Sequence, residues 1–305
     1  MKVLVLGANG QVGRELVSLL RSEVECVAAT RDGRLFDGSA CAQADLAQPT
    51  SLHKLIVEQA PDWLINAAAY TAVDRAESEF ELAMQINAHA LNTMADACTK
   101  TRTSILHYST DYVFSGNSSI PYVEQDAPAP INRYGASKLA GEHVLTQSNC
   151  QHIIIRVAWV YAAHGKNFLN TMLRLGNERQ QIQVVSDQIG VPTPAHWLAD
   201  ASVQLITKPN ICSGLWHLAP QGRTSWYDFA REIYIRAKQL GLIKHIPEVN
   251  AIDSSQYRVA AQRPAYSVLN ANAIRNQFHI GLAPWQVGLD QVLEQILKST
   301  NSNYQ

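Results

Sequence analysis

Val3-Leu4-Val5-Leu6, four apolar residues in a row, run straight into Gly7-Ala8-Asn9-Gly10-Gln11-Val12-Gly13. An unbroken apolar run suits a strand buried on both faces of a parallel sheet. Val12, Leu16, Leu19 and Leu20 then recur at helical spacing. A buried strand, a glycine turn and an amphipathic helix open a βαβ unit. The glycines follow GxxGxxG, with one residue more between the first two than in GxGxxG. Their physical use is the same: the backbone turns tightly and approaches a pyrophosphate, which rests on the free N–H groups of the helix start. Gly7, Gly10, Gln11, Val12 and Gly13 are therefore assigned to a dinucleotide. No Lys followed by Ser or Thr completes the turn, which excludes a P-loop.

The alternation continues for a further hundred residues. Glu25–Ala29, Trp63–Ile65, Ser104–Tyr108 and Ile153–Val157 read as strands. Leu52 to Ile56, a long stretch from Leu82 to Ala95, and Tyr134–Leu145 read as helices. The fold class is α/β, a doubly wound parallel sheet of Rossmann type. Past residue 160 the pattern loosens, with Gly190-Val191-Pro192-Thr193-Pro194 and short strands such as Gly214–Leu218 set between helices. With an approximate boundary, residues 1–160 are assigned to the dinucleotide-binding domain, completed by later segments, and 161–305 to a smaller, interleaved α+β substrate domain.

The chain has 305 residues, long enough for about two domains. A net charge of −1 argues against nucleic acid or an anionic membrane as the main partner. Five scattered cysteines without a CxxC pair suggest neither a disulfide framework nor a zinc site. With no signal peptide before the strand at Lys2 and no membrane-spanning run, a cytoplasmic location is expected.

The end of the second strand bears on cofactor choice. An acidic residue there would hold a ribose 2′-hydroxyl, but the residues are Thr30 and Arg31. A hydroxyl and a guanidinium suit a 2′-phosphate, so NADPH is favoured over NADH. Alternatively Arg31 is a solvated loop charge and either cofactor serves. Asp45-Leu46 is placed at the end of the third strand, beside the adenine.

Tyr134 and Lys138 lie four apart on one helix face. A nearby ammonium lowers the pKa of a phenol and fits it for proton transfer. The YxxxK spacing recurs at Tyr234 and Lys238, in a late amphipathic helix remote from any glycine turn, and that copy is assigned to structure. Thr110 and Asp111 leave a buried strand at its C-terminal end, where such folds place their chemistry. There the Thr110 hydroxyl can hold a carbonyl while Tyr134 delivers the proton.

Strand-ending Ser/Thr, YxxxK and the N-terminal glycines together resemble the extended short-chain dehydrogenases/reductases. Within that superfamily, Asn66–Asp74, His107–Phe114, Tyr134–Glu142, Arg156–Tyr161, Asp187–Thr193, Gln262–Asn270 and Trp285–Gly288 resemble the dTDP-4-dehydrorhamnose reductases. The resemblance implies reduction of a dTDP-4-dehydro-L-rhamnose 4-keto group, the last step in making an activated sugar for bacterial surface polysaccharides. It implies Tyr134 as proton donor and Lys138 as its modulator and ribose ligand, with Thr110 tuning the transfer. Thr110 and Asp111 would contact the sugar nucleotide; Trp159 would line the sugar pocket or else belong to the core, and Arg263 would reach the diphosphate or else form a salt bridge at the rim. Ala67, Ala68 and Ala69 would follow the cofactor with their backbones. Asn87 matches an Asn common in the superfamily, or else bonds backbone. A homodimer is common in the fold.

Some members bind Mg²⁺ between subunits. Glu15 matches one ligand, but the other position is His196, a poor ligand for a hard cation, and no metal is assigned. His107 and His217 are read as core histidines. Trp226, Tyr227, Phe229, Ile233 and Tyr234 are read as core of the second domain. Two other functions compete: a sugar-nucleotide epimerase, and a non-catalytic regulatory subunit like that of methionine adenosyltransferase. The intact Thr110, Tyr134 and Lys138 speak against the latter.

Overall fold

Strand–helix alternation builds one seven-stranded sheet in this computed structural model, which describes residues 1–209 and 211–302. The strands are β1 (Lys2–Leu6), β2 (Glu25–Thr30), β3 (Ala42–Gln43), β4 (Trp63–Asn66), β5 (Ser104–Thr110), β6 (His152–Val157) and β7 (Gly214–His217). They are ordered β7-β6-β5-β4-β1-β2-β3, and every neighbouring pair is parallel. The order reverses between β1 and β4, so the crevice beyond their C-terminal ends is where this topology binds ligands. Val3 and Val5 enter the core on one face of the sheet, Leu4 and Leu6 on the other. Both faces are covered, which is why the run is continuous rather than alternating.

The longer helices are α1 (Gln11–Leu20), α2 (Pro49–Gln59), α3 (Ala90–Thr101), α4 (Arg133–Thr146), α5 (Phe168–Glu178), α6 (Ala195–Ile206), α7 (Trp226–Gln239) and α8 (Trp285–Ser302). Helices α1 and α6 cover one face of the sheet; α2 and α3 cover the other. A third core gathers Tyr161, Phe229, Ile233, Tyr234, Trp285 and Leu289 under α5, α7 and α8. Beside it, Gln181–Val185 pairs in parallel with Glu248–Ile252.

Three local expectations change. Gly214–Leu218 does not lie in the smaller domain: Gly214–His217 is β7, the edge of the main sheet, paired with β6. With α6 also packed on α1, the chain after residue 160 returns to the first layer. The third strand ends at Gln43, before Asp45-Leu46, because the Asp45 carboxylate accepts the Ala47 N–H (2.9 Å) and turns the chain toward α2. The long helix expected from Leu82 to Ala95 is instead a short helix, Phe80–Met84, a π-helical turn, Gln85–His89, and α3. Gly141 of α4 explains part of that break. A Cβ on Gly141 would overlap the Asn87 carbonyl, so α4 lies directly on the π turn.

Candidate active site

The site begins at the β1–α1 turn. Gly7 has φ +77°, and a Cβ there would meet the Ala68 backbone at 2.8 Å. Only glycine lets β1 and the loop after β4 approach so closely. Gly10 caps α1 without a side-chain bond, and no acidic residue occupies the first turn. The N–H groups of that turn therefore have neither an intrahelical acceptor nor a competing carboxylate, which fits a nucleotide diphosphate. Gln11 is engaged elsewhere: its amide donates to the Val160 carbonyl (3.3 Å) and accepts from Asn167 (2.9 Å). Val12 packs on the core and Gly13 is buried against the Gly7 carbonyl. Ala67, Ala68 and Ala69 follow β4 and are half-buried.

Thr30 does not offer a free hydroxyl. It is buried, and its Oγ1 bonds the Asp32 carboxylate (2.9 Å) and both the N–H and carbonyl of Arg34 (3.0 Å each). It shapes the turn and leaves the Arg31 side chain exposed just past the end of β2.

At the C-terminal end of β5, Thr110 Oγ1 donates to Asp111 (3.1 Å) and accepts the Tyr112 N–H (3.2 Å). A short 3₁₀ turn, Asp111–Val113, follows. Asn132 caps α4 by accepting the Gly135 N–H (2.7 Å), and its own amide donates to the Gln262 carbonyl (2.8 Å). A Cβ on Gly135 would overlap the Tyr112 carbonyl, so the glycine after Tyr134 lets α4 settle on the 3₁₀ turn. That contact places Tyr134 beside Thr110, with its ring edge-on to Tyr112 at 5.9 Å.

Burial pushes the Tyr134 phenol up to about 12, against a Thr110 hydrogen bond that lowers it; the Asp111 charge raises it further. Burial also drives Lys138 down to about 7, partly offset by Glu142. Asp111 rises to about 7, again chiefly by burial, against the lowering effect of Ser267 and Thr110, and its Oδ2 has no hydrogen-bond partner among the described residues. A buried carboxyl with one orphaned oxygen beside Thr110 is a ready partner for a ligand hydroxyl.

Lys138 Nζ donates to the Tyr108 carbonyl (2.6 Å) and lies 3.1 Å from His107 Nε2. His107 is buried, as expected, yet it is also a neighbour of Lys138. His217 is buried too, 3.1 Å from the Tyr122 carbonyl and 3.4 Å from Arg156. Asn87 bonds the Tyr70 backbone in both directions (2.9 and 3.1 Å) and Ser137 (2.9 Å), tying the loop after β4 to α4.

Trp159 has φ +47° and stacks on Trp226 with ring centroids 3.5 Å apart. A non-glycine residue held in the left-handed region needs its surroundings to hold it there. Trp226 supplies such a contact. Helical spacing assigns it to the core of the second domain, and it does pack there beside Phe168 and Phe229; its stacking on Trp159 is what spacing does not show. Arg263 is bidentate to Asp74 (both 2.6 Å) and so joins the loop after β4 to the segment after Gln262. A diphosphate would have to compete with that carboxylate. Glu15 pairs with His164 (3.0 Å), and His196 lies 3.0 Å from Gln291. No described helix is long and apolar enough to cross a membrane.

The sequence profile of the RmlD substrate binding domain matches residues 1–298. A dTDP-4-dehydrorhamnose reductase of Salmonella typhimurium is 40% identical over 305 residues, covering 98% of this chain and 99% of that protein. A dTDP-4-dehydrorhamnose reductase from Bacillus anthracis, solved in complex with NADP, superposes with a TM-score of 0.87 at 34% identity, covering 97% of this chain and 100% of that one. A Thermus thermophilus UDP-glucose 4-epimerase shares the fold, with a TM-score of 0.78 at 17% identity over 98% and 99% of the two chains.

Proposed function

The chain belongs to the RmlD substrate-binding-domain family of dTDP-4-dehydrorhamnose reductases, and on that premise we propose that it reduces the 4-keto group of dTDP-4-dehydro-L-rhamnose to give dTDP-L-rhamnose. The observation that carries the reading to this chain's own residues is that Tyr134 and Lys138 of α4 both meet the C-terminal part of β5, Tyr134 at Thr110 and Lys138 at the Tyr108 carbonyl. The glycine turn and the N–H groups of α1 would hold the diphosphate of a reduced nicotinamide dinucleotide, with the backbone of Ala67, Ala68 and Ala69 alongside; when bound, that group would supply the hydride for the sugar C4.

Tyr134 donates its phenolic proton to the oxygen formed at C4. Even near 12 a phenol is a stronger acid than the sugar alcohol it produces, and an ammonium at Lys138 strengthens it. Thr110 holds the same oxygen. Its single hydroxyl proton is given to Asp111 in the free chain, and a protonated Asp111 would release it for the substrate. Trp159, braced by Trp226, forms an aromatic wall for the sugar.

The test is loss of reduced-nicotinamide absorbance with the dTDP-4-keto sugar, using NADPH and NADH in parallel. Stoichiometric oxidation with formation of dTDP-L-rhamnose is the expected result. Binding of the dinucleotide with no net oxidation would overturn the reductase in favour of an epimerase or a binding subunit.

Cofactor preference rests on Arg31. A charge-assisted bond to a 2′-phosphate contributes about 1.5–3 kcal/mol. Arg31→Ala is therefore expected to weaken NADPH about 10–100-fold and leave NADH nearly unchanged. Equal weakening of both in fluorescence titrations would show that Arg31 does not read the 2′-phosphate.

A further inference from the structure

Three buried side chains form a line behind the catalytic helix: Asn66 at the end of β4, His107 in β5 and Lys138 in α4. Their donors and acceptors can be assigned one by one. Asn66 Oδ1 accepts the Ala68 N–H at 3.2 Å, which fixes the amide and turns its NH₂ toward His107 Nδ1 at 3.1 Å. Rotating that amide would set two N–H donors against each other. His107 Nδ1 is therefore an acceptor. A neutral imidazole carries one N–H, so the proton sits on Nε2; burial holds His107 well below its usual range.

That Nε2–H points at Lys138 Nζ, 3.1 Å away. An ammonium there would again set donor against donor, whereas an amine can accept the imidazole proton while still donating to the Tyr108 carbonyl. We propose that Asn66 and His107 hold Lys138 as a neutral amine in the free protein, and that binding of the nicotinamide cofactor draws a proton onto this nitrogen. The inference rests on the cofactor reading above. Hydroxyl oxygens of a bound ribose would give Nζ acceptors that His107 does not, and the cofactor's negative charge favours the ammonium.

The other groups around Lys138 fit. Glu142, one turn further along α4, is occupied by Arg156 from β6 and by Ser109 from β5. Tyr134, one turn before, and Asp111 are both raised by burial and are not strong anions near neutral pH. No free carboxylate among these groups holds an ammonium in place. His107 is thus a positioning residue: it sets the protonation of Lys138, and Lys138 in turn sets the acidity of Tyr134 only once cofactor is present.

Calorimetric titration of NADPH in two buffers of different ionisation enthalpy measures the protons taken up. With Lys138 near 7, the free amine fraction is about 0.9 at pH 8 and about 0.1 at pH 6. Uptake in those proportions is expected, and NADH, which lacks a titrating 2′-phosphate, should give the same pH dependence. His107→Gln can offer Lys138 a carbonyl oxygen, so the free protein should already carry an ammonium and the uptake at pH 8 should largely vanish while binding persists. Lys138→Met should abolish uptake in the same way, a control that serves even where His107→Gln does not fold. Binding of either nucleotide without uptake at pH 8, or equal uptake in the parent and His107→Gln, would overturn the proposal and leave the cofactor site standing. No binding of either nucleotide would overturn both.

Discussion

Replacing Tyr134 by Phe is expected to lower turnover by about 10²–10⁴-fold, the usual contribution of a positioned general acid. The change removes one oxygen and keeps the ring, so the edge-on contact with Tyr112 survives and the fold is unaffected. Cofactor affinity should stay within a factor of two or so, because the glycine turn and the loop after β4 are untouched. A mutation that removes an interaction made only in the transition state lowers kcat and kcat/KM together. Single-turnover kinetics with dinucleotide binding measured on the same sample test this. Turnover equal to the parent would show that the proton comes from elsewhere, with Asp111 the next group to examine, since burial lifts it to about 7 and one of its oxygens is unbonded.

What could be read from the sequence follows a physical division. β1, the glycine turn and α1 are local: apolar runs and helical periods fix them within twenty residues. YxxxK is local too, and its two copies separate by context. Tyr234 is buried with its hydroxyl on the Met172 sulfur, and Lys238 turns to the Lys244 carbonyl, so the second copy never faces a cleft. What escaped is long-range. His107 meets Lys138 across 31 positions and Asn66 across 41, and nothing in a strand-like run distinguishes a histidine that packs from one that also sets a protonation state. Trp226 packs on the second core as its spacing suggests, but its stacking on Trp159, whose left-handed backbone no single-residue pattern reveals, was hidden. For Arg263 a rim salt bridge is one of two readings, but its partner, Asp74, lies 189 positions away. Thr30 was read as a ligand because it ends a strand, yet the turn it begins consumes its hydroxyl. In these cases residue type was informative and only the partner was hidden.

The largest stability effect is expected at Glu142. Its carboxylate accepts Arg156 Nε (2.9 Å) and Nη2 (2.6 Å) and the Ser109 hydroxyl, and both charged side chains are only 3% exposed. Arg156 also lies 5.0 Å over the Phe114 ring, so the guanidinium is enclosed on several sides. Glu142→Gln keeps the shape and removes the charge, leaving a buried cation without its counter-ion. Breaking such a pair from one side costs about 3–5 kcal/mol, whereas replacing both partners by apolar groups can be neutral. The denaturation midpoint of Glu142→Gln should therefore fall sharply, and the double replacement Glu142→Leu with Arg156→Met should recover much of the loss. A loss below about 1 kcal/mol in the single variant would mean that the pair is already solvated. The same carboxylate is what partly supports a charge on Lys138 one helical turn away. Its removal should push Lys138 further toward the amine, so the pH at which cofactor binding begins to take up a proton should move down as stability falls. One buried ion pair thus ties the packing of α4 against β5 and β6 to the protonation of the lysine that α4 carries.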